Sequence, residues 1–179
     1  MDLTTDTARL WGNFNEELRR FTLSWSDDPQ FTQQAFQELI SSHAKNGHFD
    51  LVVAARIRLG ELLESSKKPQ EAAEQYTLAL HLTLTHASGD YSEDATIETA
   101  RALLWDIFRA QMAAQSYAEA AKTAELSLSA YYRARIGSSR TSVQVMIRSI
   151  GQVDAMKAAL EASRGGWTWE DVHAQMHDI

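Results

Sequence analysis

Cysteine is absent from this 179-residue chain, which excludes disulfide staples, thiolate metal centres and a cysteine nucleophile together. Only two prolines occur, and neither interrupts a periodic run. Strand signals are missing as well: no segment alternates β-branched residues, and Asn46-Gly47 lies between two helical patterns rather than in a hairpin. No stretch approaches the roughly 18 apolar residues of a membrane span. The opening MDLTTDTARL is acidic and has neither the basic region nor the apolar run of a signal peptide, so the expectation is a cytoplasmic protein. Gly-rich phosphate loops, dinucleotide fingerprints and serine-nucleophile elbows are all lacking. These absences point away from catalysis, and no cofactor is expected.

What is present is ordinary globular composition. Hydrophobic residues make up 44% and charged residues 23%, enough to build a core in a single domain. Net charge is −7 and uneven. Residues 1–100 hold 8 basic and 16 acidic side chains, residues 101–164 hold 9 and 5, and the last 15 residues carry −3. Nucleic acid is therefore a poor partner for the whole molecule.

The helical periodicity is punctuated in an orderly way. Pro29 and Pro69 stand where helices start, since a missing N–H has no consequence in a first turn. Gly47, Ser88-Gly89, Gly137 and Gly165-Gly166 close periodic runs. The spacing predicts about eight helices, at 6–24, 29–46, 49–66, 69–86, 92–114, 117–136, 139–164 and 168–177. In the last of these, Thr168 and Asp171 form a capping pattern and Trp167 can staple onto Val172. Links this short favour antiparallel hairpins.

Self-comparison reveals a repeat. Leu59-Gly60 is followed, twelve residues after the glycine, by Ala72, then by Tyr76 and Ala79. Gly60 and Ala72 are small where two helices would cross. Forty-eight residues on, Ile107-Phe108 replaces Leu59-Gly60, Ala120 replaces Ala72, and Ala124 and Ser127 stand at the places of Tyr76 and Ala79. A third Ile150-Gly151 follows, with no alanine at the matching distance. The pattern resembles the tetratricopeptide repeat (TPR), well over 53–84 and less closely over 101–132, although the 48-residue step exceeds that family's usual 34.

The resemblance implies an all-α fold: antiparallel helical hairpins stacked as a short right-handed solenoid. Residues 1–179 form one domain, with a degenerate N-terminal hairpin at 1–48, two repeat units at 49–136, and a long helix plus a capping helix at 137–179. It also implies a concave groove, lined by the first helix of each pair, that holds a peptide or helix of a partner protein.

Helical spacing then places an inner stripe on each first helix: Ala54, Ile57, Glu61 and Glu64; Ala102, Trp105, Arg109 and Met112; Val145, Arg148, Gln152 and Ala155. Trp105 with Arg109 and Arg148 has the composition of an interface hot spot, and Ile57, Glu61, Met112 and Gln152 complete the predicted partner-binding set. An acidic-plus-apolar segment is the expected ligand. The competing reading makes Trp105 core and pairs each arginine with a nearby acid. A second functional class is a structural homo-oligomer, a homodimer for example, assembled through apolar helix faces. Phe14, Phe21, Trp25, Phe31 and Phe36 read as core. His173 and His177 share a helical face but lack a third ligand, and His43/His48 and His81/His86, five apart, do not share a face. No metal site is expected from any of them.

Overall fold

A computed structural model describes residues 3–86, 93–137 and 143–165; at 3–5, 93–95, 128–137 and 143–150 it describes the helical backbone alone. Among these residues every regular element is a helix. There are seven: α1 (Leu3–Ser24), α2 (Pro29–Lys45), α3 (Phe49–Ser65), α4 (Pro69–Thr85), α5 (Glu93–Ala113), α6 (Tyr117–Gly137) and α7 (Val143–Arg164). The expected eighth helix, with its Trp167 staple and the His173/His177 pair, lies outside the described residues.

Local chemistry explains the boundaries. Pro29 opens α2 at N1, and Asp28 caps it by accepting a hydrogen bond from the Phe31 N–H at 2.9 Å. Pro69 opens α4 in the same position. The turns after α2, α3 and α5 share one design. Each places a residue in the left-handed region, Gly47 (φ 73°), Lys67 (φ 59°) and Gln115 (φ 58°). The next N–H reaches back five residues in each case: His48 to His43 O, Lys68 to Leu63 O and Ser116 to Gln111 O, at 3.0, 2.9 and 2.8 Å. This pattern satisfies carbonyls that a helix end leaves orphaned. Lys67 and Gln115 are 48 residues apart, the same step that separates the matching sequence positions.

The side chains at the helix crossings obey the same period with their sizes exchanged. A Cβ built on Gly60 would run into the Tyr76 ring, meeting Cε1 and lying 2.7 Å from Cζ. In the second hairpin Phe108 occupies the position of Gly60 and Ala124 that of Tyr76, both within one buried cluster. Large against small is conserved in volume while the bulky partner changes helix, as close packing demands.

Each helix packs on its chain neighbours, and α1 also meets α3, as α5 meets α7. Alternate helices are tied at like ends. Trp25 Nε1 donates to Ser66 Oγ (2.7 Å) and Arg58 Nε to Thr22 Oγ1 (3.0 Å), joining the C-terminal ends of α1 and α3. Gln33 Nε2 donates to Glu71 Oε2 (3.3 Å), joining the starts of α2 and α4. Two apolar clusters result. The larger contains Phe14, Phe36, Leu59, Tyr76, Leu103 and Ile107; the smaller contains Phe108, Met112, Ala120, Ala124, Met156 and Ala159. Helix α5 contributes to both. Of the aromatics expected in the core, Phe14, Trp25 and Phe36 are buried and Phe21 packs beside them. Phe31 does not follow: it is 69% exposed, standing one turn into α2 while Thr32 takes the inward position.

Candidate functional site on the face between α3 and α5

Helices α3 and α5 run parallel, and the face between them has an apolar end and a charged end. At the apolar end is a cavity of about 180 Å³. Val53, Ala54 and Ile57 of α3 form one wall, Thr96 and Thr99 of α5 the other, and Leu82 and Thr83 of α4 the floor. At its rim the Phe49 ring stacks on His86, centroids 3.8 Å apart and nearly coplanar at 9°. Asp50 supplies the one carboxylate among the lining residues.

The charged end joins three helices. Arg109 Nη2 on α5 donates to Glu64 Oε2 on α3 at 2.7 Å and to Asp106 Oδ1 at 3.2 Å. Tyr76 of α4 donates its hydroxyl proton to the same Glu64 oxygen at 2.8 Å. Burial pushes the Asp106 carboxyl up to about 6; Arg109 opposes this, and the neighbouring Glu64 and Glu61 charges add to it. Burial and the Glu64 charge hold the Tyr76 phenol well above its ordinary range. Arg109 Nε is enclosed without a hydrogen-bond partner, so the guanidinium is held by one edge.

The predicted partner-binding residues separate under this geometry. Ile57 is half-buried, packs against the larger cluster and lines the cavity. Glu61 is exposed and paired with Arg58. Trp105 is half-buried, stacked on Phe108 with centroids 6.0 Å apart at 22°, and packed against the smaller cluster. Arg109 belongs to the ion cluster just described. Two residues do not reach the surface. Met112 is 1% exposed, because α5 is covered on two sides and its last turn faces α6 and α7. Gln152 is 7% exposed and wedged against α5: it accepts from Arg101 Nη1 at 2.7 Å and donates to Arg101 O at 2.9 Å. The Arg148 side chain lies outside the described residues.

Glu64, Tyr76 and Asp106 were not singled out together by sequence reasoning. The available signals were the i, i+3 spacing of Asp106 and Arg109, which marks a helical ion pair, and Glu64 on the predicted stripe. His43 and His48 were also missed as a pair. They do not share a helical face, yet the turn at Asn46-Gly47 brings their Nδ1 atoms to 3.3 Å. Among the described residues, no group of three or more His, Cys, Asp or Glu is placed to hold a metal ion, and no helix is long and apolar enough to cross a membrane.

The chain matches no family model, and neither curated proteins nor solved structures yield a match.

Proposed function

We propose that the chain is a TPR-like, non-catalytic binding module of the cytoplasm, whose stacked hairpins present the face between α3 and α5 to a segment of a partner protein. The observation that carries this reading is the cavity. Ala54 and Ile57, on the inner stripe that the TPR resemblance implies for α3, line a hollow between α3 and α5. A hollow of this size with mostly apolar walls suits a bulky apolar side chain. The repeated turn and the like-end ties between alternate helices support stacking of the hairpins as in a solenoid.

The partner chemistry differs from the acidic-plus-apolar segment expected at first. Arg109 already faces Glu64 and Asp106, and Glu61 is matched by Arg58. The acids of this face outnumber its arginines, and the whole chain carries −7. An apolar segment with a basic residue beside it is the better complement.

The test is affinity capture from native lysate, comparing the wild type with Ala54→Phe, which fills the hollow, and with Trp105→Ala/Arg109→Ala. Proteins retained by the wild type and lost by Ala54→Phe, at unchanged thermal melting, support the groove. An identical list of captured proteins rejects it.

One observation favours a second reading, a homo-oligomer subunit. Leu78 of α4 and Leu126 of α6 sit 48 residues apart at equivalent repeat positions, and both are exposed, at 44% and 60%. Light scattering separates the readings: a monomer across micromolar concentrations excludes the oligomer.

A further inference from the structure

The apolar and charged ends of the α3–α5 face stand at one spacing on both helices. Seven residues, a rise of about 10 Å along a helix, separate Ala54 from Glu61 and Ile57 from Glu64 on α3, and Thr99 from Asp106 on α5. In each pair the first residue lines the cavity and the second carries a carboxylate of the charged end. We propose that this face, on the groove reading given above, recognises its ligand at two points: an apolar side chain in the cavity, and a lysine or arginine about 10 Å away seated against Asp106 and Glu61.

The charged end is one cation short. Arg109 lies between Glu64 and Asp106 and bonds to both, while Tyr76 of α4 gives its proton to Glu64. Glu61 pairs with Arg58, which is drawn towards α1 by its bond to Thr22 Oγ1 at 3.0 Å. Three carboxylates thus share two guanidiniums. Asp106 registers the shortfall. Burial raises its carboxyl to about 6, Arg109 opposes the rise, and the Glu64 and Glu61 charges add to it. The Asp106 and Glu61 side chains are 28% and 48% exposed, so a cation entering the groove can reach them. The residues lining the cavity include no lysine or arginine to repel it. Asp50, one turn before Ala54, offers a lone carboxylate in the opposite direction and is the competing seat. Side chains about 10 Å apart are three residues apart in an extended segment and seven apart in a helix. Pairing with the ligand's cation favours the ionised Asp106, so binding near pH 6 releases a proton.

The probe is a random dodecapeptide display library, selected at pH 7 on the immobilised full chain and counter-selected on Ala54→Phe. Retained sequences should share a bulky apolar residue with lysine or arginine three or seven positions away. One such peptide, followed by fluorescence polarisation, should bind Asp106→Asn at least about fivefold more weakly and Asp50→Asn within about twofold of the wild type. Its affinity for the wild type should fall between pH 7 and pH 5 as Asp106 takes up a proton, and the fall should be shallower in Asp106→Asn. Asp106→Asn replaces a carboxylate that burial disfavours, so a folded variant is at hand even if Ala54→Phe folds poorly. No sequence preferred over Ala54→Phe, and no peptide bound by the wild type, rejects the groove and this recognition with it. Peptides lost on Ala54→Phe that lack a basic residue at a constant distance, or that bind Asp106→Asn as well as the wild type, leave the groove standing and overturn the two-point recognition alone.

Discussion

Replacing Asp106 with asparagine removes a carboxylate that the fold holds under strain. An acid titrating near 6 rather than at its ordinary 3.8 binds more protons folded than unfolded between those values, so its ionisation destabilises the native state as pH rises through that window. The linkage relation gives a penalty well below about 1 kcal/mol at pH 4 that grows to about 3 kcal/mol at pH 7. These are ceilings, because the side chain is 28% exposed and water screens part of the charge. The attraction of Arg109 is already contained in the net shift, and that arginine keeps its 2.7 Å bond to Glu64. Asp106→Asn should therefore be more stable than the wild type by about 1–2 kcal/mol at pH 7, with the gain shrinking towards zero at pH 4. Urea unfolding followed by circular dichroism at pH 4, 5, 6, 7 and 8 measures it. Taking the difference between variant and wild type at each pH cancels His43, whose lowered pKa acts in the opposite sense by withdrawing stability as pH falls. A gain that does not vary with pH, or a variant less stable at pH 7, refutes the account of this charge cluster.

Other substitutions probe the packing. Gly60→Ala should cost about 1–3 kcal/mol despite alanine's better helix propensity, because its methyl meets the Tyr76 ring. Gly60→Phe combined with Tyr76→Ala copies the arrangement of the second hairpin, and denaturant titration should find the double variant more stable than the sum of the singles predicts. Tyr76→Phe deletes the bond to Glu64 and should cost about 1–2 kcal/mol. Lys67→Gly relieves a non-glycine residue at φ 59° and should raise stability by up to about 1 kcal/mol, visible as a higher melting temperature.

The features legible in the sequence were those set by near neighbours. Pro29 and Gly47 act within a turn of where they stand, so the helix boundaries followed from them. The small crossing residues Gly60 and Ala72 declared themselves by recurrence. What escaped depends on neighbours distant in the chain. Met112 and Gln152 fit the helical stripe, but whether a stripe meets water depends on how many helices cover it, and α5 is covered twice. The raised Asp106 pKa comes first from burial by the folded helices, and the charge of Glu64, 42 positions earlier, adds to it. The two histidines eluded face analysis because a helical wheel has no meaning across a turn.

The double enclosure of α5 bears on how the molecule comes apart. Leu103 and Ile107 close one cluster while Phe108 and Met112 close the next, so neither half retains an intact wall without that helix. A chain cut ahead of α5 would leave the preceding hairpins open along one flank. Local opening from either end is therefore expected to stop at this shared partition, which native-state hydrogen exchange along α5 would read.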